Sequence, residues 1–206
     1  MDTIDKLTEI FKHFPGIGPR QAKRFVYFLL TRNKNYLKEF TSLIEELKNE
    51  IVICPECFQY FTKGKQATSL CDICSGKNRD ENVLMIVARD IDLENIEKSH
   101  SFNGKYFVLG GTIPILDKNP EQRIHLKELL TAIENKAKNN NLKEIILGFS
   151  INPESEYTAD FVIQALTPLV TKYGLKISHL GRGLSTGTEL EYSDADTIKN
   201  ALKNRS

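Results

Sequence analysis

Four cysteines spaced as two Cys-x-x-Cys pairs constrain this 206-residue chain more than any other feature. They read Cys54-Pro55-Glu56-Cys57 and Cys71-Asp72-Ile73-Cys74, and no cysteine is left over. Two such pairs, a short insert apart, can turn four thiolates toward one point, which is the arrangement a tetrahedral structural zinc ion needs. A secreted disulfide framework fits poorly, because no signal peptide opens the sequence and a chain of this length buries a core without covalent staples. A redox dithiol would be a single Cys-x-x-Cys near a strand-helix junction. The expectation is one Zn2+ per chain on Cys54, Cys57, Cys71 and Cys74, in a cytoplasmic protein.

The length admits one large domain, or two small ones and a module. A formal net charge of +1 gives no global electrostatic footprint, so contact with nucleic acid must come from a local patch. The longest apolar runs, such as Val83 to Val87, are too short to span a bilayer, so no membrane is implicated. Hydrophobic residues at 40% and charged residues at 27% are ordinary for a folded chain and argue against disorder.

Before the cysteines, Ile4, Leu7, Ile10, Phe11 and Phe14 recur at helical spacing, and Ala22, Phe25, Val26 and Leu29 do so again. Pro15-Gly16-Ile17-Gly18-Pro19 separates the two stripes, and Pro19 suits a first helical turn. Gly16 and Gly18 let backbone amides approach a bulky anion, while Arg20, Lys23 and Arg24 share the face opposite the apolar stripe. Amides and cations together suit a phosphate. The segment resembles the helix-hairpin-helix motif, which binds DNA backbones without reading sequence; a tight turn with a solvated basic face is the plainer alternative. A third amphipathic helix runs through Leu37, Phe40, Leu43, Ile44 and Leu47, with the pair or a second subunit as its packing partner.

Ile51 to Ile53 reads as a short strand into the first cysteine pair, and Phe58, Tyr60 and Phe61 as a small core for the cysteine module. Lys63 and Lys65, beside Gly64, read as a solvated loop tip. Beyond it, strands at Val83 to Val87, Tyr106 to Leu109, Glu144 to Leu147 and Lys176 to Leu180 alternate with helices at Asp92 to Lys98, Ile124 to Ala137 and Thr158 to Tyr173. This alternation predicts a mostly parallel sheet. Pro168 should end or kink its helix, and Ser193 should cap a final short one. His13, His100, His125 and His179 share no spacing with one another or with the cysteines, so they read as surface or packing residues.

In a parallel sheet, functional groups gather on loops at the carboxyl ends of the strands. Asn152 to Glu156 reads as such a loop, where Glu154 and Glu156 could hold a hard cation such as Mg2+. The stretch from Gly181 to Tyr192 is a second, Gly-rich loop carrying Arg182.

The order of parts resembles the bacterial RecR family of recombination mediators, over nearly the whole chain from Leu7 to Leu202. The best-matching segments are Phe14 to Arg24, the cysteine spacing, Val108 to Gly111 with Leu116-Asp117, Glu154 to Thr158, and Arg182 to Tyr192. The resemblance implies an α/β protein in several parts: a helical helix-hairpin-helix module at 1–50, a four-Cys zinc module at 51–78, a Toprim-like, mostly parallel sheet domain at 79–180, and a C-terminal Gly-rich loop and helix at 181–206. It also implies a non-enzymatic DNA repair protein: a clamp, tetrameric by analogy, that works with RecO, and with RecF as a further partner, to load recombinase onto gapped DNA. The zinc module then reads as a rigid joint.

Toprim enzymes place a catalytic Glu after the first strand and a magnesium-binding acidic pair after a later one. Asp92, Glu97, Glu154, Glu156 and Arg182 match family positions, as partner contacts or Mg2+ positions. After Val87, however, stands Ala88-Arg89-Asp90 where relatives carry Glu, and Ala88 can neither move a proton nor ligate a metal. That departure weighs against the alternative, a Toprim-type metal-dependent nuclease or primase-like enzyme.

Overall fold

A computed structural model describes residues 1–63, 69–139, 141–181, 183–184, 187 and 189–203. The chain divides into two compact units, Met1–Ile51 and Val52–Ser206.

The first unit is three helices. α1 (Thr3–Lys12) opens on the Asp2 carboxylate, which accepts from the Asp5 amide at 2.8 Å. α2 (Pro19–Leu30) buries Ala22 and Val26 against α1, and Phe11 meets Phe14 and Phe25 edge-to-face at 5.5 and 5.6 Å. α3 (Lys34–Glu50) buries no residue fully and leaves Leu43, Ile44 and Leu47 about half exposed.

β1 (Ile51–Ile53) spans the division and is paired to β2 (Tyr60–Thr62); α4 (Asp72–Ser75), a four-residue helix that carries Cys74, follows in the second unit. Then come β3 (Asp80–Val87), α5 (Asp90–Lys98), β4 (Gly104–Val108), α6 (Leu126–Lys138), β5 (Glu144–Gly148), α7 (Pro153–Tyr173), β6 (Lys176–His179) and α8 (Ala195–Lys203). The four long-range strands form one sheet in the order β4-β3-β5-β6, with every pairing parallel. Alternate residues of β3 and β4 serve opposite faces. Leu84, Ile86 and Phe107 enter the core under α6 and α7, whereas Met85, Val87, Tyr106 and Val108 enter the core under α5.

Several expectations need correction. Asn152 to Glu156 is not a loop: the Asn152 side chain accepts from the Ser155 amide at 2.9 Å and Pro153 takes the first helical position, so Glu154 and Glu156 sit in the first turn of α7. Pro168, expected to end or kink that helix, does not end it. It removes one donor, yet Val162 and Leu166 before it are buried and Leu169 and Val170 after it pack on the same core, so α7 continues to Gly174 in a left-handed cap. The final helix is capped by Asp194 instead of Ser193, its carboxylate accepting from the Thr197 amide at 2.9 Å. The short β2 and α4 were not anticipated.

Candidate metal centre and nucleic-acid interface

The two cysteine pairs close as backbone turns. The Phe58 amide donates to the Cys54 carbonyl and the Ser75 amide to the Cys71 carbonyl, both at 2.9 Å. Phe58 adopts a left-handed conformation, φ 62°, which costs a side-chain-bearing residue about 1 kcal/mol. Its ring packs 5.2 Å from Phe107 and 4.8 Å from His125, so the strained residue is held by the sheet core and not by a small core of the cysteine module. Phe61 does pack beside the cysteines, while Tyr60 is exposed. Lys63 is exposed; Gly64 and Lys65 lie outside the described residues.

Cys54, Cys57 and Cys71 are buried and Cys74 half-buried, with all four sulfurs within 4.8 Å of one another. Cys57 and Cys71 Sγ stand 3.5 Å apart, against about 3.8 Å for a tetrahedron built on Zn–S bonds of about 2.3 Å. Crowding splits the thiols. Hydrogen bonding to neighbouring sulfurs and burial push Cys57 and Cys74 up, whereas Cys71, which those same contacts favour as thiolate, is pulled far down. A divalent cation relieves that conflict by taking all four as thiolates. The cluster can hold a metal ion.

The cysteine module is bonded to the edge strand of the sheet. The Val108 amide donates to the Cys57 carbonyl at 2.8 Å. Lys105, also on β4 and only 5% exposed, donates its ammonium to the carbonyls of Cys74 at 2.9 Å, Ile73 at 3.2 Å and Gly76 at 3.3 Å. Nothing in the spacing of the sequence marks Lys105; an alternation argument assigns a strand lysine to solvent.

In the first unit, Gly16 takes φ 74° to turn the chain, and Gly18 caps α2 with no side chain of its own. A Cβ at either glycine would meet open space, so neither is there to fit a neighbour within this chain. The first-turn amides of α2, Arg20 and Gln21, precede the first helical bond, in which the Ala22 amide reaches the Gly18 carbonyl at 2.9 Å. Arg20, Lys23 and Arg24 are exposed beside them, Arg24 reaching only the Gln21 amide oxygen at 3.4 Å.

The acids matched to the sheet domain each have local work. Asp92 accepts from the Arg89 amide at 3.0 Å and caps α5. Glu97 pairs with Arg79, whose guanidinium holds the carboxyl below its usual range. Glu154 accepts from the Thr112 hydroxyl, while Thr158, fully buried, takes the Ile113 amide at 2.9 Å and ties α7 to the loop after β4. Glu156 lines a cavity of about 400 Å³ with His179, Leu180 and Gly181 at the strand ends. Ala88 is buried at the end of β3. Arg182 lies outside the described residues. Among the described residues, the cysteines alone bring three or more potential ligands together.

Three stretches of the chain match known family models. Residues 4–48 match the family model "RecR, helix-hairpin-helix", 82–181 match a Toprim domain and 183–206 match "RecR, C-terminal". The Recombination protein RecR of Legionella pneumophila is 36% identical over 208 residues, covering 100% of this chain and 96% of the relative. Those of Lactobacillus acidophilus and Cyanothece are 30% and 31% identical, covering 98% of this chain and 96% and 94% of theirs. A full-length likeness of this kind, carried through all three matched regions, makes the chain a member of the RecR family of recombination proteins.

Proposed function

We propose that this chain is a non-enzymatic recombinational repair protein that binds DNA through phosphates and, with RecO and RecF, helps load recombinase onto gapped DNA. The carrying observation is the turn at Gly16 to Gly18, where a Cβ at either glycine would meet open space, the Arg20 and Gln21 amides make no helical bond, and Arg20, Lys23 and Arg24 are exposed. Such a surface grips a phosphate without consulting a base, so binding is sequence-independent. One patch is weak; several around one duplex act by effective concentration. The half-exposed Leu43, Ile44 and Leu47 on α3 support a homo-oligomer, a clamp of four copies by family analogy.

Zinc is the metal proposed for the four cysteines, one per chain, in a structural role: a closed four-thiolate shell leaves no position for substrate. The location proposed is cytoplasmic; no helix among the described residues is long and apolar enough to cross a membrane. Asp92, Glu97, Glu154, Glu156 and Arg182 are proposed as partner contacts, with Glu154 and Glu156 the pair that a Mg2+ titration tests. Ala88 at the end of β3 supports the absence of chemistry, since it offers no acid or base.

The test is DNA binding over a range of salt, with labelled gapped DNA incubated in Mg2+ alongside. Arg20→Ala with Arg24→Ala should weaken binding alike on all sequences and lower the salt slope by roughly 2, one per phosphate contact removed. Sequence-selective loss would contradict the phosphate assignment. Cleavage or primer synthesis abolished by Glu154→Ala would overturn the non-enzymatic reading.

A further inference from the structure

A lysine is almost never fully buried without a partner of opposite charge. Lys105 is buried on β4, yet among the described residues it forms no ion pair; its three acceptors are main-chain carbonyls of the second cysteine turn. One carbonyl belongs to the ligand Cys74 itself and another to its neighbour Ile73, at the end of a four-residue helix whose last carbonyls have no helical donors. The proposed metal would supply the missing negative charge on the same turn, since four thiolates around a divalent ion would carry a surplus of two. The same face of β4 holds Phe107, two residues on, against Phe58 of the first turn. Each cysteine pair therefore has its own anchor on one strand, and only one of the two anchors is a cation.

We infer that Lys105 is a positioning residue of the metal centre, fixing the second cysteine turn through its carbonyls and balancing the charge of the metal-loaded thiolates, so that the chain's grip on the metal depends on it. The inference rests on the zinc reading of the cysteines. It predicts reciprocal support: the metal-loaded cluster makes the buried ammonium tolerable, and the ammonium makes the charged cluster tolerable.

The experiment uses the full chain loaded with Zn2+, or with Co2+ as a spectroscopic substitute. Zinc transfer to a chromophoric chelator and the thiolate-to-cobalt charge-transfer band are followed in wild type, Lys105→Met, Lys105→Gln and Phe107→Leu. Both Lys105 variants should hold zinc roughly 10–100-fold less tightly, the usual scale for a group that supports a metal ligand, and should shift the cobalt band. Phe107→Leu, which loosens the other anchor without touching charge, should leave the band in place. If Lys105→Met fails to fold, Lys105→Gln carries the comparison, since it keeps an N–H donor while removing the charge. Wild-type zinc retention and an unshifted band in the folded Lys105 variants would overturn the inference, as would an equal shift in Phe107→Leu. Failure of the wild type to bind zinc would instead sink the reading of the cysteines on which it stands.

Discussion

The Val108 amide donates to the Cys57 carbonyl across 2.8 Å, joining the last residue of a sheet strand to one of the four clustered cysteines. A buried backbone bond of this kind is made only while both partners keep their place. Chelating the metal, or replacing Cys71 by Ser, should therefore speed hydrogen exchange at Val108 before it does so at Ile86 on the neighbouring strand. Metal analysis should fall from about one ion per chain to none in the same samples.

Gly16 and Gly18 should part company under substitution. At φ 74°, Gly16→Ala should cost the first unit about 1 kcal/mol, seen as a lower unfolding midpoint. Gly18 has φ −81° and open space around it, so Gly18→Ala should fold with a loss within about 1 kcal/mol. Its methyl would nonetheless stand where a phosphate must approach the first-turn amides. Gly18→Ala should thus lose DNA affinity out of proportion to stability.

Gly110 takes φ 91°, and a Cβ there would stand 3.0 Å from His125 Cε1. Gly110→Ala should destabilise the second unit by about 1–3 kcal/mol in denaturant titration. His125→Ala added to it should recover the part due to crowding and leave the part due to backbone strain.

The Arg79–Glu97 pair sets a pH dependence with a definite sign. The guanidinium lowers the carboxyl's pKa in the folded state, so the pair's stabilisation is present above the ordinary glutamate range near 4.3 and is lost as pH falls through the lowered folded value. Arg79→Met should flatten the acid limb of the stability curve and leave the neutral region lower than wild type. A variant with an unchanged acid limb would show that the pair contributes nothing to folding.

What could be read from the sequence was whatever is local. The cysteine spacing, the apolar stripes of α1 and α2 and the unbroken Val83 to Val87 run announce themselves because each is a period or a pair within one segment. The helical start at Asn152 was open to the same reasoning, since Asn before Pro is a cap followed by a first-turn residue, but its place after a strand end in a parallel sheet favours a loop reading. Lys105, Thr112 and the Val108 bond were beyond reach for a different reason. Their partners lie between 29 and 51 residues away, so their roles exist only once the chain has closed. The proposed phosphate-binding stretch from Gly16 to Arg24 lies between these cases: its residues are contiguous, but the open space at Gly16 and Gly18 is a property of the fold.

β4 is one of the two strands at the margins of the sheet, and the cysteine turns are bonded to it. An uncovered margin is a template on which other chains can add strands, and natural proteins guard such margins. Here the guard is the pair of cysteine turns, which the proposed metal would hold in place. A cell short of the metal would then risk more than a weaker repair protein: newly made copies would present a sticky border to one another, and aggregation would remove them before DNA was ever met.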